Sequence, residues 1–369
     1  MTSSLIAALF ATLFAGNQMT LGEQSAPRIR KWTPTRVPEG TTFAGDQSCA
    51  QCHQSYVRSH QTTPMARAME TVAEAGILRA NPRLRFREGP YSFSITRDGN
   101  QSNYSVTDGK DTITVPIGYV FGLGKAGQTY LFEYEGAFYE SRVSFFDEIT
   151  GLDITIGHTP SAPSSLNAAI GRKLERAEVL RCFSCHSTGA VKGRELHLDT
   201  LVPGLRCEAC HGPGQAHMAA AKEKKASSGL IFNPASLSGD ELTQDYCASC
   251  HRIEEDQRLL RSMESTNVRY QPYRIFQSKC YSDDLRISCT ACHNPHESVA
   301  STSAYYDAKC VACHSPAKGA SEAATFRVCK IGKSDCVSCH MPKVSVQQAH
   351  FKFTDHYIRV VKANEAYPK

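Results

Sequence analysis

Cys-x-x-Cys-His occurs seven times in this 369-residue chain, and no other feature limits its possible folds as strongly. The copies are Cys49/Cys52/His53, Cys182/Cys185/His186, Cys207/Cys210/His211, Cys247/Cys250/His251, Cys289/Cys292/His293, Cys310/Cys313/His314 and Cys336/Cys339/His340. A single copy is compatible with a zinc site or a dithiol redox pair. Seven copies, each with His directly after the second Cys, read as c-type haem attachment. The two thiols bond the haem vinyl groups and the His supplies the proximal iron ligand. The expected cofactor is haem c, seven per chain and covalently held.

The residue counts extend this reading. The chain has 16 Cys, and the motifs leave Cys280 and Cys329 over. In an oxidising compartment these two can form a disulfide; two thiols or bonds to partners are the alternatives. The chain has 14 His, and those outside the motifs are His60, His158, His197, His217, His296, His350 and His356. One distal imidazole is thus available for every iron. A bis-His haem has no open position for substrate and mainly carries electrons. The plainer alternative is that some of these seven are ordinary surface histidines. Methionine is the competing axial ligand. Met65, Met69, Met218, Met263 and Met341 are the candidates, each read first as packing.

The length allows two or three domains. Six motifs crowd into residues 182–340, too little chain to build a separate apolar core around each haem. The expected fold is a multihaem cytochrome c, with a mainly α and irregular core wrapped around haems and a small inserted antiparallel β module. The formal charge is +5. Each ferric haem with its two propionates adds negative charge, so the holoprotein lies near neutrality and the basic balance is no argument for nucleic acid.

Leu5–Phe14 (LIAALFATLF) is an apolar run of signal-peptide length, without the usual basic residue before it. Residues 1–26 are read as an export signal, with cleavage after Ala15 or Ala26. No later segment is long and apolar enough for a transmembrane helix. Haem attachment to this motif takes place outside the bacterial cytoplasm, so the expected location is the periplasm or cell surface.

Residues 27–82 form a first-haem segment, with an extended Pro-rich lead-in and a helix-compatible run over 55–75 broken by Pro64. Residues 83–157 contain no Cys and alternate strand signals with turns at Asp98-Gly99, Asp108-Gly109 and Glu135-Gly136, the pattern of antiparallel hairpins. Within them Gly122, Gly124 and Gly127 fit GxGxxG, but a strand follows where a dinucleotide site needs a helix. A hairpin turn is the better reading. Residues 158–369 form the hexahaem helical part. There Ser164 or Ser165 is the expected N-cap of a helix over 166–180. His217 follows its motif across Gly212-Pro213-Gly214, and His296 follows its own across Asn294-Pro295. Residues 253–281 read as a helical stretch, and His350 and His356 lie in the tail HFKFTDHYIRV.

The pieces CEACHGPGQAH, CTACHNPHE and CVSCHMPKV with the tail HFKFTDHYIRV resemble multihaem cytochromes related to cytochrome c554 and to proteins with doubled CxxCH motifs. The resemblance spans roughly residues 46–76 and 158–360. It implies paired haems, a largely helical core, and His217 and His296 as distal ligands. The chain lacks the CxxCK of pentahaem nitrite reductases, and the 83–157 insertion departs from the c554 pattern.

The leading functional expectation is electron relay between a quinol-linked donor and a terminal acceptor or reductase. The first alternative is an oxidoreductase acting on a small nitrogen or sulfur compound at one open haem, with the first haem as the place to look and Tyr56 and Arg58 beside it. The second is a subunit of a cytochrome complex or filament, membrane-associated or oligomeric.

Overall fold

The computed structural model describes Pro34 and residues 41–252, 264–282, 287–314, 329, 331–362 and 364–365. The expected leader and residues 253–263 of the expected helical stretch lie outside the described residues. Each motif sits on or at the end of a helix: α1 (Asp46–Gln61), α2 (Arg176–His186), α3 (Cys207–His211), α4 (Ala248–His251), α5 (Cys289–Cys292), α6 (Ser303–His314) and α7 (Cys336–His340). A π-helical turn, Glu241–Cys247, leads into α4. The helical period sets residues i and i+3 on one face, so both thiols of a motif point the same way. Four of these helices have only four or five residues. Isolated helices below about 12 residues are marginal in water, so packing, not propensity, holds them.

The intervening segment is antiparallel sheet. Its strands are β1 (Met69–Glu70), β2 (Arg83–Glu88), β3 (Tyr91–Asp98), β4 (Gln101–Thr107), β5 (Thr112–Pro116), β6 (Tyr119–Gly124), β7 (Gly127–Tyr134), β8 (Ala137–Ser141), β9 (Val143–Phe146), β10 (Gly151–Ile154) and β11 (Gly171–Lys173). β2–β5 form a four-stranded meander, with Phe93 opposite Phe86 and Val106, and Tyr104 opposite Ile95 and Val115. The second sheet runs β1-β6-β7-β8-β11, and β9 joins β7 to β10. It therefore draws in strands from both sides of the 83–157 segment. Tyr134 pairs with Ala137 across Glu135-Gly136, both at positive φ, as a two-residue hairpin turn requires. The GxGxxG run is the β6–β7 turn: a Cβ on Gly122 would press on the Gly127 carbonyl.

One apolar cluster joins the two sheets, from Phe93, Ile95 and Tyr104 on the meander to Tyr130, Phe132 and Phe145 on the larger sheet. The Tyr104 and Phe132 rings meet at 5.5 Å. Phe93 is 1% exposed. Phe93→Ala is expected to cost about 3–5 kcal/mol by leaving a cavity, read as an earlier loss of far-UV β signal in a denaturant titration.

The opposite face of the larger sheet packs on α2. Phe183, between the two cysteines of the second motif, receives Tyr119, Phe121 and Phe138 at ring distances of 4.9, 5.5 and 6.1 Å. Met69, Leu131, Leu174 and Val179 complete this cluster. The sheets are thus anchored to the second motif.

The helix expected over 166–180 is divided. Ser165 does cap, accepting from Ala168 N at 3.2 Å, but the helix ends at Ala169. Gly171 then pairs with Ser141 as strand β11, at φ +149 and so close to the Glu140 carbonyl that no Cβ fits. Sheet pairing overrides local helix propensity here. A new start follows at Glu175, in a capping box with Glu178. Within 264–281 the chain forms a 3-10 turn, Glu264–Arg269, and short helices Gln271–Phe276 and Lys279–Ser282. The tail forms a hairpin, Lys343–Val346 against Phe351–Thr354. Among the described residues no helix is long and apolar enough to cross a membrane.

Candidate haem-attachment sites

The motif helices come together in a definite order. Thiols of neighbouring motifs lie against one another at Cys49 and Cys207, Cys185 and Cys250, Cys247 and Cys289, and Cys310 and Cys336, where the segments that carry them pack together. Helix α5 packs on α6. Tyr246, next to the fourth motif, donates its hydroxyl to the Cys210 carbonyl of the third. The motifs therefore adjoin as first–third–fourth–fifth–sixth–seventh, and the second lies against the fourth.

Cys52, Cys313 and Cys339 are exposed, while the other eleven motif cysteines are half-buried. Each of the three is the second cysteine of its motif, and they belong to the first, sixth and seventh sites. Those sites lie at the two ends of the row. The contact with a neighbouring motif is made there by the first cysteine, Cys49, Cys310 or Cys336. The second cysteine lies three residues on; between the second and fourth motifs it is the second cysteines, Cys185 and Cys250, that lie against each other.

Three carboxylates lock these helices together, and none was singled out from the sequence. Glu208, inside the third motif and 3% exposed, accepts from Ala44 N at 2.7 Å, Gly45 N at 2.8 Å and Gly214 N at 2.7 Å. It holds the start of α1 against the third motif. Asp46 in the first turn of α1 accepts in return from Cys207 N at 3.3 Å. Asp307 on α6 accepts from Asp335 N and Cys336 N at 2.7 and 2.8 Å, capping α7. Those amides hold its carboxyl below the usual range. Acids at helix N-termini meet unpaired amides and the positive end of the dipole. An acid within or three residues before a Cys-x-x-Cys-His motif was the available sequence signal.

The histidines divide by what their ring nitrogens face. His53 and His217 lie 6.5 Å apart between ring centroids, His211 and His296 6.0 Å, and His293 and His356 6.2 Å. Two imidazoles bound end-on to one metal, with bonds of about 2 Å, place their centroids roughly 6 Å apart. Nδ1 faces a backbone carbonyl at His186 (Ala68, 2.9 Å), His211 (Phe232, 3.0 Å), His217 (Ser227, 3.0 Å), His340 (Arg359, 2.8 Å) and His356 (Thr354, 3.0 Å). With Nδ1–H donated, Nε2 carries the free lone pair that a metal needs. Burial lowers the pKa of His186, His211, His251, His293 and His296, and brings His356 to about 4. These imidazoles are neutral, the ligating form.

The other spare histidines are placed differently. His158 Nε2 lies 3.2 Å from Glu140, His350 Nε2 2.7 Å from Asp153, and His197 Nε2 3.7 Å from Glu195. His60 is buried on α1, near His211 and His296. His186 and His251 have no imidazole opposite them at the spacing of the three pairs, although all fourteen histidines are among the described residues. Phe121 stands edge-on to His186 at 5.2 Å. Of the methionines, Met69 packs in the cluster beneath α2. No disulfide joins Cys280 to Cys329.

These residues fit a covalently held haem. Each motif presents two thiols and an imidazole from one helical turn, and three of those imidazoles face a second one. Buried polar atoms without partners also lie at these sites. Gln271, whose side chain meets His251, has an unpaired Oε1, and Tyr306, 5.8 Å from His293, has an unpaired hydroxyl.

Comparison with known proteins agrees in part. No curated protein sequence matches the chain. A solved structure described as outer cell wall cytochrome OcwA aligns over 86% of this chain and 80% of its own, at 14% identity and a TM-score of 0.41. Residues 158–212 match the family model described as cytochrome c554 and c-prime. That match takes in the second and third motifs, and with the same motif recurring on either side of it the chain is a multihaem c-type cytochrome.

Proposed function

We propose that the chain is a heptahaem electron-transfer protein of the periplasm or cell surface, with a haem-wrapped core and sites running first–third–fourth–fifth–sixth–seventh, the second branching from the fourth. The observation that carries this is the three histidine pairs at 6.0–6.5 Å, made of one motif imidazole and one spare imidazole each. Haem, when bound, supplies a one-electron couple at each site. The chain's part is to close both axial positions and to fix each site against the next. His217, His296 and His356 are the distal ligands in this reading, for the first, third and fifth sites. The same role for His158, His197 and His350 requires Nε2 atoms that face carboxylates. The export reading of residues 1–26 and attachment outside the cytoplasm support the location. The partners are a donor and an acceptor of single electrons.

Haem quantification should return seven per chain, and electron paramagnetic resonance should show low-spin ferric signals from at least three sites. His217→Ala, His296→Ala and His356→Ala should each convert one haem to high spin, with added imidazole restoring it. Unchanged spin states in all three variants would sink the ligand assignment.

A second reading, reduction or oxidation of a small molecule at one open haem, is favoured at the second motif. His186 meets Phe121 instead of an imidazole. The first site, where the sequence directed attention, has His217 facing His53. Carbon monoxide binding by the reduced wild type separates the two readings.

A further inference from the structure

Two guanidinium groups lie between the second and fourth motifs with no carboxylate in ion-pair contact among the described residues. Arg252 directly follows His251, at φ +69, a backbone conformation that few side chains adopt. Its guanidinium carbon lies 5.7 Å from the centroid of the Tyr270 ring. That of Arg269 lies 6.0 Å from the centroid of the same ring. Among the described residues neither forms an ion pair. Burial pulls the Arg269 pKa down, Arg252 adds to the depression, and Glu140 offsets it only from beyond ion-pair distance. Contact with an aromatic ring compensates a cation only in part. Both side chains are half-buried, and two like charges beside one ring call for an anion. Their surroundings say where it belongs. Cys185 Sγ of the second motif donates to the Ser249 carbonyl at 3.7 Å, three residues before Arg252, and helices α2 and α4 pack together there. The second attachment site is therefore within reach of both.

We propose that Arg252 and Arg269, flanking Tyr270, form a carboxylate-binding site that holds a propionate of the haem on the second motif. The proposal rests on the heptahaem reading. A planar guanidinium fork matches a carboxylate in two parallel hydrogen bonds, and two forks can share one carboxylate between them. The pairing has a redox consequence. Positive charge at the haem edge favours the state carrying the extra electron, so these arginines raise the midpoint potential of the second haem. A higher potential on the branch site makes it the place where electrons collect beside the fourth haem.

The test is spectroelectrochemical titration of the holoprotein, wild type against Arg269→Gln, Arg252→Gln and the charge-keeping Arg269→Lys, with haem quantification of each. The expected result is seven haems in every protein, a downward shift of one midpoint potential in both Gln variants, and a smaller shift in Arg269→Lys. If Arg269→Gln fails to accumulate, Arg252→Gln gives the same readout. Seven haems with unmoved potentials would overturn the proposal alone. A wild type without haem on the second motif, seen by mass spectrometry of peptides spanning residues 182–186, would overturn it together with the reading beneath it. Each titration is repeated with nitrite or acetate. A wild-type potential that moves with the added anion, and a Gln variant that no longer responds, would assign the arginines to a diffusible anion and also overturn the proposal.

Discussion

Asp355→Ala is expected to lower the unfolding free energy by about 3–5 kcal/mol and to turn one haem from low to high spin. Arg274 and Asp355 are both fully buried and paired, Nε to Oδ1 at 2.8 Å and Nη2 to Oδ2 at 2.9 Å. Arg359 adds a contact to Oδ2 at 2.8 Å, and Tyr357 N donates to Oδ1 at 3.0 Å. Removing the carboxylate takes two charge-assisted hydrogen bonds from a fully buried guanidinium, which costs more than the pair contributes when intact. Asp355 directly precedes His356, so the same cluster aims that imidazole at His293, 6.2 Å away. A denaturant titration followed at the Soret band reads the stability, and electron paramagnetic resonance reads the ligand. The double replacement Arg274→Met with Asp355→Leu should recover much of the stability, because a buried pair exchanged for apolar groups is often neutral. Full stability in Asp355→Ala would show that the cluster is not coupled to the fold.

Glu208→Ala should cost about 2–4 kcal/mol, since a hydrogen bond to a charged group contributes about 1.5–3 kcal/mol and water replaces only part of the loss. Three backbone amides from two chain segments converge on this carboxylate. Without it α1 is held to the third motif by Asp46 and by the contact between Cys49 and Cys207. Loosening should appear first at the first and third sites, as a lowered Soret unfolding midpoint and a broadened low-spin signal. Glu208→Gln keeps one acceptor oxygen and should recover part of the midpoint. A wild-type midpoint in Glu208→Ala would remove the carboxylate from its clamping role.

Much of the architecture was legible because its signals are local. Alternation with Asp-Gly and Glu-Gly turns marked the strands between residues 83 and 157, and the turn chemistry holds at Glu135-Gly136. Ser165 caps as its type requires. The helix over 166–180 was not legible, because a sheet edge captured Gly171–Lys173, and pairing with β8 is a contact with residues some thirty positions away. The carboxylates at 46, 208 and 307 were in plain sight, but an acid reads as a solvated charge until a second helix brings unpaired amides to it. The seven motifs are alike in sequence, so nothing in them distinguished the exposed Cys52, Cys313 and Cys339 from the half-buried cysteines. The first motif stood apart in sequence and drew attention as a place for an open iron. In space His217 reaches it from the third motif, and the sheets pack on the second.

By itself, the repetition of Cys-x-x-Cys-His determined the chemistry of this protein. Thiol and imidazole spacing within five residues is enough to specify covalent haem attachment, and no tertiary contact is needed to read it. Which histidine faces which, and which site adjoins which, was decided only by the tertiary structure. The spare imidazoles are separated from their partners by up to 164 residues between His53 and His217, and by 85 and 63 in the other two pairs. Only packing of short helices against one another, held by buried carboxylates and by one face of a β-sheet, closes those distances to about 6 Å.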